Sequence, residues 1–94
     1  MKKIEVILPS AQRDYFVQQL KKWGQLHYSR ISGIQQSGCA GSQYDDDITG
    51  VFSNDLYILI CSDEKAQEIH SELTKLVRRS GGLAYSVDCT VIHK

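Results

Sequence analysis

The stretch DLYILIC, residues Asp55–Cys61, is the strongest strand signal in the sequence, and it decides the fold. Leu56, Ile58 and Ile60 alternate along it with a second apolar set. That second set is Tyr57, Leu59 and Cys61. A strand with one face in water carries polar residues at every second position. This strand does not, so we expect both faces of its sheet to be covered.

A helix is predicted directly after this strand, with Ser62 or Asp63 as its N-cap. Arg78 and Arg79 then fall at its C-terminal end, where cations suit the helix dipole. Gly81–Gly82 is expected to end the helix. Apolar residues at spacings of three and four mark its buried face; they are Ala66, Ile69, Leu73, Leu76 and Val77.

Two strands and a helix are predicted before the Asp55–Cys61 strand. KIEVIL, residues Lys3–Leu8, is rich in β-branched residues and reads as the first strand. A helix is predicted over Ala11–Trp23, with Ser10 as its N-cap and Gly24 as the left-handed residue that ends it. LHYSRIS, residues Leu26–Ser32, is predicted to be a more polar second strand. The buried stripe of the helix would be Phe16, Leu20 and Trp23.

With LAYSVDCTVI, Leu83–Ile92, as the last strand, the elements follow the order β-α-β-β-α-β. This order predicts an α+β, ferredoxin-like sandwich: a four-stranded antiparallel sheet with two helices on one face. Residues 1–94 are expected to form a single domain. The other face of the sheet is apolar as well, and no third layer is predicted. We therefore expect another copy of the chain to cover that face.

The segment GCAGSQYDDDITGVFSN, Gly38–Asn54, joins the second and third strands. Loops longer than about 12–15 residues without structure of their own are usually functional or disordered. This one is rich in glycine and aspartate and cannot build core. We expect a long flexible β2–β3 loop that serves binding rather than folding.

Composition excludes several classes of protein. The chain has 11 Lys plus Arg and 11 Asp plus Glu, so no net charge draws it to nucleic acid or to a membrane surface. Its apolar runs are too short to cross a bilayer, and its N-terminus alternates like a strand rather than a signal peptide. Cys39, Cys61 and Cys89 are odd in number and lack CxxC spacing. We expect free thiols and a cytoplasmic location.

Four features together resemble the PII-like signalling proteins. They are the opening MKKIEVIL, a glycine closing the second strand, the long loop and the glycine pair after the second helix. The resemblance covers nearly the whole chain and is closest to the short PII-like regulators associated with bicarbonate uptake and carboxysomes. It implies a homotrimer whose inter-subunit clefts each hold an adenine nucleotide. It also implies that the β2–β3 loop, the T-loop of that family, docks on a partner such as a membrane transporter or an enzyme.

The same resemblance implies where the cleft walls lie. The family's strand-2 glycine falls on Gly33, and its glycine loop falls on Ser80–Gly82. Its second strand-2 glycine is Gln35 here, and its phosphate-gripping lysine is Leu83. AMP, ADP or a cyclic nucleotide is therefore favoured over ATP. The implied nucleotide-binding residues are His27, Ser32, Gly33, Ile34, Gln35, Gln36, Arg78, Arg79, Ser80, Gly81, Gly82, Leu83 and Lys94.

Two local patterns leave alternatives open. Glycine amides beside Arg78 and Arg79 could contact a phosphate, or they could simply end a basic helix. The aspartates of YDDDITG could bind a hard cation, but their spacing is not that of an EF-hand, and a solvated acidic tip that favours a basic partner surface fits better. No metal site is therefore assigned. The residues expected to meet a partner protein are Cys39, Tyr44, Asp45, Asp46 and Asp47.

An enzyme is not expected, because the sequence shows no nucleophile–base pair and no metal-ligand spacing. Two other classes share the fold. A CutA-like trimer linked to metal tolerance would suit the acidic loop and Cys39, although that family has a rigid hairpin at this place. An ACT-like module would bind an amino acid at a subunit interface, although such modules are normally attached to enzymes.

Overall fold

The structure is a computed structural model that describes residues 1–35 and 53–93. Its sheet has the strand order β2-β3-β1-β4, and every neighbouring pair is antiparallel. The elements are β1 (Lys2–Pro9), a 3₁₀ turn (Ser10–Gln12), α1 (Arg13–Lys22), β2 (Ser29–Ile34), β3 (Asn54–Cys61), α2 (Asp63–Ser80) and β4 (Leu83–Asp88). The predicted α+β arrangement is confirmed.

The two helices cover one face of the sheet and form the core with it. Phe16 and Leu20 of α1 are fully buried, and the ring of Phe16 meets that of Tyr57 edge-on with centroids 4.6 Å apart. Ser62 caps α2 by accepting a hydrogen bond from the Lys65 amide, as predicted. The other buried residues are Ile4, Val6, Leu8, Leu59, Cys61, Ile69, Leu73 and Leu76. Each predicted helix stripe therefore faces the sheet.

The opposite face of the sheet, which we call the open face, is largely apolar, and it also carries the Lys3–Glu5 ion pair of β1. Strand register places these residues on it: Ile7, Ile31, Leu56, Ile58, Ile60, Leu83, Tyr85 and Val87. The exposed fractions of Ile31, Tyr85 and Val87 lie between 45% and 48%. Large apolar side chains at this exposure are typical of a surface that binds another molecule. The apolar second face is thus confirmed, while the copy expected to cover it stays a prediction.

Strands β2 and β4 differ from their predicted bounds. β2 begins at Ser29 rather than Leu26, because the buried Gln25 amide donates to the carbonyls of His27 and Ile60 and holds the preceding segment out of the ladder. β4 ends at Asp88 rather than Ile92, because Asp88 pairs with Lys2, the first residue of its antiparallel partner β1. Cys89, predicted to lie within this strand, therefore lies just beyond it and is half-buried.

The prediction for Ser10 is wrong. Ser10 opens the 3₁₀ turn, and α1 begins only at Arg13, without a side-chain cap. The Ser10 hydroxyl instead donates to Asp55 Oδ1 at 3.0 Å. The hydrogen bond to this buried carboxylate orients the Ser10 side chain toward β3 instead of toward the first amides of the helix.

Candidate functional site

The predicted loop base and the predicted glycine loop lie at one end of the sheet but on opposite edges. Ile34 at the end of β2 is paired with Asn54, and Leu83 at the start of β4 is paired with Ile7. Strands β3 and β1 lie between them. Three strand spacings of about 4.8 Å separate the two edges by roughly 14 Å. We call this end of the open face the loop-end site.

Gly33 gives the loop-end site its irregular edge. Its φ is +78°, and the β2–β3 register shifts between Ser32 and Ile34. No heavy atom lies within 4 Å of where a Cβ would be. Glycine is therefore required by backbone conformation rather than by lack of space. The resulting bulge turns the end of β2 away from a regular ladder.

The glycine pair on the other edge ends α2 and lets β4 approach β1. Gly81 has φ +75°, and the amides of Gly81 and Gly82 both donate to Val77 O, at 3.0 and 3.1 Å. A Cβ on Gly82 would lie 2.2 Å from Ile7 O. The helix end thus uses the two amides that were candidates for contact with a phosphate, which favours the helix-cap alternative in this conformation.

Arg78 and Arg79 point in different directions. The Arg79 guanidinium lies over the Tyr15 ring, 5.5 Å from its centroid. Arg78 lines a cavity between α2 and β4. Ser80 Oγ is buried and has no hydrogen-bond partner within the described parts of the chain. The structure therefore does not bring these two arginines together beside the glycine pair.

His27 lies at the other end of the open face. It lines a groove of about 780 Å³ together with Leu26, Tyr28, Ser29, Ile58, Ile60, Val91 and His93. Five residues of extended chain separate His27 from Ser32, or roughly 17 Å. We call this groove the histidine groove. The apolar second face of β3 already pointed to Ile58 and Ile60, whereas nothing in the sequence pointed to Val91.

A charged cluster at the start of β3 was not foreseen. Asp55 is fully buried and accepts from Arg13 Nε at 2.8 Å, from Arg13 Nη2 at 3.0 Å and from Ser10 Oγ at 3.0 Å. The Tyr57 hydroxyl also donates to it, at 3.3 Å. An acidic residue opening a wholly apolar strand was the signal that could have revealed it. Ser10 also binds Ser53, through a backbone bond of 2.8 Å and a hydroxyl contact of 3.1 Å, so the cluster fixes the chain where the loop ends.

Burial and hydrogen bonding act on the pKa of Asp55 in opposite directions. Burial alone would raise that pKa, but the hydrogen bonds from Arg13 and Ser10 and the charge of Arg13 outweigh it. The pKa of Asp55 therefore lies below its ordinary value of 3.8. Burial, with the Asp55 charge nearby, raises the pKa of Tyr57 to about 12. At neutral pH Asp55 is ionised, whereas the Tyr57 hydroxyl keeps its proton and donates a hydrogen bond to Asp55.

Some predicted residues lie outside the described residues. They are Gln36, Cys39, Tyr44, Asp45, Asp46, Asp47 and Lys94. Within residues 1–35 and 53–93 no group of three or more His, Cys, Asp or Glu side chains is placed to hold a metal ion. The helices in those two ranges are all too short or too polar to cross a membrane.

Comparison of the sequence with protein-family models and with curated proteins finds no match. Solved structures do match. CPII, a nitrogen regulatory PII-like protein from Thiomonas intermedia K12, has a TM-score of 0.79 at 17% identity in its form bound to ADP, AMP and bicarbonate. That match covers 99% of this chain and 93% of CPII.

Two further structures agree. The form of CPII bound to ADP, AMP and acetate has a TM-score of 0.80 at 17% identity, over 98% of this chain and 88% of CPII. A putative PII-like signalling protein from Thermus thermophilus has a TM-score of 0.71 at 21% identity, over 92% of this chain and 83% of that one. These matches cover at least 92% of this chain, so it has the fold of the PII-like signalling proteins.

Proposed function

We propose that this protein is a PII-like regulator, not an enzyme, that binds an adenine nucleotide between copies of itself and controls a partner protein through its β2–β3 loop. The observation that carries the proposal is the position of the two candidate half-sites. The loop-end site and the histidine groove lie at opposite ends of one apolar face. Only contact between different copies can bring them together.

Assembly through the open face explains both its composition and the divided site. The end of one sheet would meet the opposite end of the next, which is a contact between unlike surfaces. Contacts of this kind close into rings when the rotation allows it. We therefore propose a homotrimer, in line with the expectation from the sequence. Free Cys61 and Cys89 suit a reducing, cytoplasmic location.

The two half-sites favour a nucleotide of low charge. The histidine groove offers Ile58, Ile60 and Val91 for a base to lie on, with His27 and His93 as polar partners. The loop-end site has Leu83 where a phosphate-binding cation would be needed, and its glycine amides end α2. CPII, which has the same fold, is described as bound to ADP and AMP. We propose AMP, ADP or a cyclic nucleotide as the effector, ahead of ATP.

The regulatory step follows from the positions of Gly33 and the Asp55 cluster on the two sides of the loop. Gly33 stands two residues before the last described residue on the β2 side, and the Asp55 cluster fixes the β3 side. A nucleotide on Gly33 would therefore contact one side of the loop while the other stays anchored. Such a ligand can bias which loop conformation a membrane transporter or another partner meets.

Replacing His27 with alanine tests the nucleotide site. We expect ADP and AMP to bind about five- to tenfold more weakly, because one polar contact to the ligand is lost. His70→Ala is the matched control, since His70 is exposed on α2 and lies outside the histidine groove. Isothermal titration calorimetry of both variants with AMP, ADP, ATP and cyclic AMP checks this. Equal affinities in wild type and His27→Ala would remove His27 from the site, and no heat from wild type with any nucleotide would contradict the proposed function.

Replacing Ile58 with glutamate tests assembly. Ile58 lies near the middle of the open face on a central strand, opposite Glu5 of β1, so a second carboxylate there would be buried beside a like charge in any complex that covers this face. We expect complete dissociation at micromolar concentration with the fold retained, because Ile58 lies outside the core of one copy. Sedimentation velocity and circular dichroism measure both, with Gln67→Glu on exposed α2 as control. An oligomer unaffected by Ile58→Glu would show that the open face is not the interface.

A further inference from the structure

A cavity of about 230 Å³ lies between α2 and the edge strand β4. Its floor is apolar and consists of Ile4, Leu73, Val77 and Ala84. Register places Ala84 opposite Val6 and Ser86 opposite Ile4, so both point to the helix-covered side of the sheet. Two small side chains on this edge strand leave the space beside α2 unfilled. The cavity is therefore on the opposite side of the sheet from the open face.

Among the described residues that line this cavity, the permanently charged side chain is that of Arg78. None of its ten lining residues is acidic, while Arg78 and His70 both line it. No described residue forms an ion pair with Arg78 or with Arg79, but the Arg79 guanidinium lies over the Tyr15 ring. The Thr74 hydroxyl already donates to the His70 carbonyl at 2.8 Å. An unpaired guanidinium at the rim of an apolar cavity is suited to an anion with an apolar body.

We propose that this cavity is a second ligand site, which binds a small aliphatic carboxylic acid. The carboxylate pairs with Arg78, whose planar guanidinium can bind both oxygens. The hydrocarbon chain lies along α2 on Leu73 and Val77, in the direction of His70. Eight residues separate Arg78 from His70, which is about 12 Å along the helix and sets an upper bound for the length of the chain.

Hexanoate is the probe for this site, and the full-length chain labelled with ¹³C and ¹⁵N is the sample. We expect saturable shifts of the Ala84 and Val77 methyl signals, with hexanamide at least tenfold weaker because it lacks the charge. Arg78→Gln and Ser86→Leu should each weaken hexanoate at least tenfold, the first by removing the cation and the second by filling the cavity. Ser86 is exposed, so the fold should tolerate leucine there. Arg79→Gln is the matched control and should bind hexanoate like wild type.

Three results of the titrations with hexanoate alone would overturn the proposal. They are shifts that do not saturate, equal binding of hexanoate and hexanamide, and unchanged binding by Ser86→Leu. Added ADP provides a separate check, because a ligand on the helix side of the sheet should not compete with one on the open face. Displacement of hexanoate by ADP would place hexanoate in the nucleotide site and would equally contradict the second site. The titrations with hexanoate alone contain no nucleotide, so their outcome does not depend on the proposed function.

Discussion

Replacing Asp55 with alanine is expected to lower the free energy of unfolding by about 3 kcal/mol, the low end of the range for breaking a buried ion pair. The carboxylate is fully buried and accepts hydrogen bonds from Arg13, Ser10 and Tyr57. Alanine leaves the buried Tyr57 hydroxyl without its acceptor, which adds a desolvation penalty. Arg13 is partly exposed and can turn to water, so the loss stays near the lower limit. Urea denaturation at neutral pH measures it.

The pH dependence of this loss identifies its cause. The pKa of Asp55 is lower in the folded than in the unfolded chain, so the charged group stabilises the fold above its ordinary pKa of 3.8. That contribution is lost as the pH falls through the lower, folded-state value. The difference between wild type and Asp55→Ala should thus be largest at neutral pH and shrink in acid. Asp55→Asn is the isosteric control without charge. Its Nδ2 group donates and cannot replace an accepting oxygen, so we expect a loss comparable to that of Asp55→Ala. A difference that does not vary with pH would contradict the ionic explanation.

Replacing Gly82 with alanine should destabilise the fold by a similar amount, about 3 kcal/mol, at the upper end of the usual range for overpacking. The new Cβ would stand 2.2 Å from Ile7 O and 3.0 Å from Leu8 Cδ2. A backbone carbonyl within the central β1 strand cannot move aside alone, so β4 would have to shift from β1. Thermal unfolding measures the loss.

Gly81→Ala is the matched control for Gly82→Ala. Gly81 has φ +75°, so alanine there meets left-handed strain of about 1 kcal/mol. Comparing the two variants therefore distinguishes a steric need for glycine at Gly82 from a conformational need for it at Gly81. A Gly82→Ala variant as stable as Gly81→Ala would show that β4 is not held as close to β1 as the structure has it. Because Gly82 borders the loop-end site, we also expect Gly82→Ala to weaken nucleotide binding more than Gly81→Ala does.

The sequence predicted the architecture well because the signals for it are local. The two-sided apolar pattern of β3, the Ser62 cap and the Gly81 helix end each follow from a few neighbouring residues. Strand ends were less predictable, since β2 and β4 are bounded by pairing with distant residues. The Asp55 cluster was missed for the same reason, because Arg13 lies 42 positions away in the chain.

The candidate site was predictable only in part. Gly81 has the left-handed conformation that its position after α2 suggests. The directions of Arg78 and Arg79 could not be read from the sequence, because a helix end can present neighbouring side chains to different surfaces. His27 is separated from Gly33 by most of the length of β2, which appears only when the strand is placed in the sheet. This separation makes contact between copies a requirement of the proposed site.

Native mass spectrometry of the full-length protein with ADP tests the central claim most directly, because it reads assembly and ligand binding in one spectrum. We expect a complex of three identical chains that holds up to three nucleotides, one in each interface. A wild-type monomer that binds ADP by itself, or a stable oligomer that binds neither ADP nor AMP, would contradict a nucleotide site built between copies.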